Sequence, residues 1–170
     1  MNDHFDQSMY FRFEADFVEK NIRCIPMVVR FKLDACGIKL KLAEWSRLNP
    51  GEREHLATME CNTQEETSRY REALRQLIRS RTGKDATDIP VAEKPAWSIT
   101  DAIPQTICEK LAEGQWSMSI QQWQQLEELQ RFALVKLSYA GHENKNFPNA
   151  LAEFGLVERF SGVSPESTNN

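Results

Sequence analysis

The side chains able to do chemistry in this chain are scattered, and their spacing decides what they can do together. No GxSxG, HExxH, glycine-rich phosphate loop or EF-hand loop occurs, so signatures for a serine nucleophile, a zinc hydrolase, a nucleotide or calcium are missing. Cys24, Cys36, Cys61 and Cys108 form no CxxC pair. Zinc and iron–sulfur sites usually show short ligand spacing, so these four read as small apolar residues rather than as disulfide partners or metal ligands. His4 falls in a polar N-terminal stretch and His55 on a helix surface. His142 opens the polar run His142, Glu143, Asn144, Lys145, Asn146 directly behind an apolar helix; either it complements the negative end of that helix, or the run contacts a partner. Arg23, Arg30, Lys32, Lys39 and Lys41 alternate with apolar positions. They form either a solvated face with ordinary ion pairs or a docking patch for an acidic surface or a cofactor's phosphates, to which arginine donates paired hydrogen bonds. Arg71, Arg75 and Arg79 recur every four residues, so their mutual repulsion calls for Glu72 or a group from outside the helix.

The elements that must position these residues are helical. A chain of 170 residues, 41% of them hydrophobic, supports one core and is short for two full domains. A net charge of -4 argues against a dedicated nucleic-acid binder, because affinity for phosphate backbones rests on clustered cations. The N-terminus has neither a basic leader nor an apolar core, and no run approaches the roughly eighteen apolar residues that cross a bilayer. These features predict a cytoplasmic protein without a membrane partner.

Along the chain, residues 10–21 carry aromatic side chains at spacings that fit a helix or a short extended stretch. Pro26 opens a helix with the stripe Val29, Leu33 and Cys36, closed by Gly37. Leu40, Leu42, Trp45 and Leu48 make a shorter segment, and Asn49 caps the next. Thr63 and Glu66 form a capping box for a helix ending at Gly83. Residues 84–97 show neither period and read as a linker. Pro104 to Gly114 make another helix. Ser119 to Gly141 reads as one long helix, capped by Ser119 and Gln122 and apolar nearly all round from Leu129, hence a buried central post. A short helix in NFPNALAEFGL precedes a disordered tail. The prediction is therefore an all-α single domain of about six to seven helices over residues 10–160, with halves 10–83 and 98–156 and tails 1–9 and 161–170.

The halves align at an offset of 78. Pro26 falls on Pro104, Trp45 on Trp123, Leu48 on Leu126, Arg53 on Arg131 and Leu56 on Leu134. With one residue dropped, Tyr70 falls on Phe147 and Leu74 on Leu151. A duplication and a coincidence of two amphipathic patterns both fit; a duplication would make two helical units that bury their faces on each other.

The run RCIPMVVRFKLDACGIKL, the LxxW after it and the closing HENKNF resemble the nitrate reductase-associated protein family, across Phe11 to Leu156. Local departures fall around Ala140-Gly141 and at Phe147 before Pro148. The resemblance implies a small bacterial cytosolic accessory protein, linked to assimilatory nitrate reductase and needed for that enzyme's activity, with no catalytic site, metal or cofactor of its own. On that basis the protein is expected to be a maturation or stabilising factor that contacts the reductase through Arg23, Arg30, Lys32, Lys39, His142, Glu143, Asn144 and Asn146. A permanent small subunit or docking adaptor is the alternative. A cofactor-handling enzyme fits less well, since no nucleophile has a neighbouring base.

Overall fold

Short-range capping sets most of the element boundaries. The computed structural model describes residues 9–15, 24–139 and 146–157; the expected terminal tails, apart from Met9, lie outside them. Residues 12–15 are helical. Helix α1 (Met27–Cys36) follows Pro26 and stops at Gly37, whose φ of 72° is the left-handed conformation that glycine adopts without steric cost. Strand β1 (Ile38–Lys39) and the single turn α2 (Leu42–Trp45) come next. In α3 (Pro50–Thr58), Asn49 and Glu52 cap each other's backbone N–H groups at 2.9 Å. Thr63 and Glu66 do the same for α4 (Gln64–Thr82), which ends at Gly83.

The second half repeats this series with α5 (Gln105–Glu113), α6 (Ile120–Gln125), α7 (Glu128–Tyr139) and α8 (Asn146–Glu153). Helices α5, α6 and α7 each begin 78 residues after α1, α2 and α3. The residues ending α1 and α5 also correspond: Gly37 has φ 72°, and Gln115 is the described non-glycine residue with a positive φ, 58°. The guanidinium of Arg53 lies 5.5 Å from the Trp45 ring centre, and that of Arg131 lies 6.0 Å from the Trp123 ring centre.

The fold is all-α, with two corrections to the elements expected from sequence. Ser119 to Gly141 is not one helix. Leu126 is extended (φ -66°, ψ 144°) and separates α6 from α7, while Gly141 lies outside the described residues. Two side chains hold the break: Arg131 donates to the Leu126 carbonyl, and Gln130 accepts the Glu127 N–H at 2.9 Å, restarting the helix. The stretch 84–97 is also more than a linker. It carries strand β2 (Thr87–Asp88), antiparallel to β1 with Ile38 opposite Asp88, and a 3₁₀ turn at Ala96–Ser98.

Two apolar clusters make the interior. One gathers Val29, Leu33, Trp45, Leu56, Tyr70 and Leu74; the other gathers Met27, Ile107, Trp123, Phe132, Phe147 and Leu151. Helix α1 serves both, turning Val29 and Leu33 one way and Met27 and Phe31 the other. The Phe31 and Phe132 rings meet edge to face at 5.2 Å. Helix α7 is the central post, packed by α1, α5, α8 and the 3₁₀ turn, with Phe132 through Val135 fully enclosed.

Candidate partner-binding site

The basic residues singled out from sequence do not share one face. Arg30 and Lys32 are two positions apart on α1, which places them about 200° apart around the helix. Arg30 is half-buried, with Nη1 3.8 Å from the Met27 sulfur. The Lys32 ammonium donates to the Ala57 and Met59 carbonyls, each at 2.6 Å, and so closes the C-terminal end of α3. Burial lowers its pKa. Lys39 is exposed on β1, and Asn146 opens α8 partly buried. Arg23, His142, Glu143 and Asn144 lie outside the described residues.

The arginine row on α4 finds its compensation across the fold. Arg71 bridges to Asp88 at 2.7 Å and donates to the Cys36 and Gly37 carbonyls. Arg75 reaches the same Asp88 at 3.2 Å, and Arg79 meets Asp85 at 3.3 Å. Asp85 and Asp88 belong to a stretch with no periodicity, so no local sequence signal pairs them with α4. The next residues run against Gly37: Ile89 donates its N–H to the Gly37 carbonyl at 2.9 Å, and a Cβ at position 37 would stand 2.9 Å from the Ile89 oxygen and from Val91 Cγ2. Further on, Arg131 Nε donates to the Trp97 carbonyl and the Trp123 indole to the Ile99 carbonyl, each at 2.8 Å. The segment is thus fastened at one end to the first half and at the other to the second.

Beneath it lies a cleft of about 460 Å³ between the segment, α1 and α7. Its walls include Phe31, Pro90, Val91, Pro95 and Trp97, and its polar groups are Asp34, Glu128 and Lys136. Lys136 pairs with Asp34 at 2.7 Å and lies 5.5 Å from the Trp97 and 5.3 Å from the Phe132 ring centres. Glu128 has no hydrogen-bond or ion-pair partner among the described residues. Sequence reasoning missed this cleft. Asp34 and Glu128 sit 94 positions apart, and only the packing of α1 on α7 brings them together.

Among the described carboxyl groups Glu14 is the most perturbed. It is 4% exposed and accepts the Met27 N–H at 3.0 Å and the Phe11 N–H at 3.4 Å. Burial raises its pKa to about 7, against the opposing pull of those amides and of Arg30. Glu153 accepts the N–H groups of Arg12 and Phe13, so two carboxylates tie residues 11–14 to α1 and α8. Among the described residues no group of three or more His, Cys, Asp or Glu side chains is placed to hold a metal ion, and no helix is long and apolar enough to cross a membrane.

Fold and site together define a small all-α protein whose described arginines and buried carboxylates mostly fasten one element to another. The chain belongs to the conserved nitrate reductase-associated protein family, whose sequence profile matches residues 10–154. Searches against characterised proteins and against solved structures find no match.

Proposed function

We propose that this protein is a non-catalytic accessory factor that matures or stabilises assimilatory nitrate reductase in the cytoplasm. The observation that carries the reading is the family match across residues 10–154, a family described by its association with nitrate reductase. The use of Lys32, Arg71, Arg75 and Arg131 as internal fasteners adds support, since such groups serve a rigid binding body rather than a reacting centre. The body is one helical domain over 10–160, its halves 10–83 and 98–156 related by duplication. Arg30, Lys39 and Asn146, with Arg23, His142, Glu143 and Asn144, are the contact residues of this reading, and Lys32 supports them from within.

Side-by-side capture of cofactor-free and cofactor-loaded nitrate reductase by the purified protein tests it. Preferential capture of the cofactor-free enzyme is the expected result. Equal, stoichiometric capture of both would make the protein a permanent subunit or docking adaptor, and capture of neither would overturn the accessory role.

A further inference from the structure

We propose that the cleft beneath residues 89–97 is a docking site for an arginine side chain carried on an extended segment of a protein partner. The argument rests on the charge left over in the cleft. Asp34 and Glu128 stand against one cation, Lys136, so the recess carries one net negative charge. One Asp34 oxygen holds Lys136, and the Glu128 carboxylate has no partner among the described residues. The cleft therefore has acceptors in excess, and its missing complement is a donor with positive charge. The walls choose among cations. The Trp97 ring flanks the recess and Lys136 already lies over it, so the aromatic surface here is matched to positive charge. A planar guanidinium both stacks on an indole and donates paired hydrogen bonds to a carboxylate, whereas an ammonium is a point charge without that bidentate fork. An incoming carboxylate or phosphate would face two carboxylates and a single ammonium already paired with Asp34. At about 460 Å³ the cleft accommodates one long side chain and the backbone around it. Val91, 55% exposed at the rim, offers an apolar contact for a neighbouring residue. This assignment deepens the accessory reading and rests on it for the existence of a polypeptide partner.

The test titrates the full-length, ¹⁵N-labelled protein with the tripeptide acetyl-Ala-Arg-Ala-amide, following the Trp97 indole resonance, assigned with Trp97→Phe, and the amides of Val91 and Ala92. Expected is a saturable shift of these resonances, weakened about fivefold when citrulline replaces arginine and by a similar factor in Glu128→Gln. Glu128 is exposed and without a partner among the described residues, so that variant leaves the fold intact. Equal binding of the citrulline or a lysine peptide, no saturable shift, or movement of the same resonances with protein concentration alone would each overturn the assignment. Capture of nitrate reductase by wild type and by Glu128→Arg separates the two claims. Equal capture by both removes the cleft and leaves the accessory role standing. Capture by neither removes the accessory role, and the peptide titration then judges the cleft alone.

Discussion

Glu14 links the protein's stability to pH. Its folded pKa of about 7 lies above the ordinary value of 4.5 because burial penalises the charge. Below pH 4.5 both states hold the proton and its contribution is fully present. As pH rises from there the unfolded chain releases its proton first, so stability falls until the folded group ionises near pH 7 and stays level above. Urea unfolding at pH 5 and pH 8 should show a loss on the order of 2 kcal/mol, and Glu14→Gln should remove most of that difference. Arg30 and Glu153 face the same carboxyl group with opposite effects, so neither reverses the sign. Arg131 makes a second prediction at this scale. It is 9% exposed, lies over the Trp123 ring and, among the described residues, donates only to carbonyls. Arg131→Met leaves the Trp97 and Leu126 carbonyls without that donor and should cost roughly 2–4 kcal/mol, against about 1 kcal/mol for Arg53→Met at the half-exposed counterpart. Equal costs by urea titration would mean that burial is not what makes Arg131 matter.

Among the elements, the turns behind α1 and α5 show how the same position is handled differently in the two halves. Gly37→Ala meets both a left-handed backbone and the Ile89 carbonyl, and should cost roughly 2–4 kcal/mol. Gly83→Ala, with φ 71° and no atom within 4 Å, should cost only about 1 kcal/mol. Gln115→Gly relieves the strain at φ 58° and should raise stability by up to about 1 kcal/mol; a lower thermal midpoint for that variant would show that the Gln115 side chain stabilises the turn. The cap at Asn49 and the capping boxes at Thr63 and Ser119 are legible in the sequence, the boxes because both partners sit three residues apart; the Glu52 half of the Asn49 box is a finding of the structure. The break at Leu126 is not legible there. In the first half Asn49-Pro50 announces it, whereas the second half has Glu127-Glu128 there, and the carbonyl freed at Leu126 is taken by Arg131. Leu126 aligns with Leu48, which precedes the break in the first half, but the apolar pattern runs through Leu126 without interruption.

For the whole molecule, the decisive feature is that α1 belongs to both clusters and the segment 84–99 is fastened to both halves. Surface charge can then change without disturbing the body. Arg30→Gln with Lys39→Glu, which removes the Arg30 cation without setting a carboxylate against Glu14, should leave the helical circular-dichroism signal unchanged while lowering nitrate reductase activity in cells several-fold. Normal activity at normal expression would remove these two residues from the partner surface. Lys32→Glu should instead reduce the signal or the melting temperature, because its ammonium closes α3 from within.

The all-α class, most helix starts and stops, the buried character of α7 and the family can be read along the chain, because capping, amphipathic period and motif runs are encoded within a few residues of one another. Where the charges go follows from long-range packing. The partners of Lys32, Arg71 and Arg75, and the Trp97 carbonyl that Arg131 binds, lie 13 to 35 residues away, and the strand pair β1–β2 is too short to leave a pattern. The cleft holding Asp34, Trp97, Glu128 and Lys136 exists only because α7 packs on α1 beneath the fastened segment, a juxtaposition that no local spacing records.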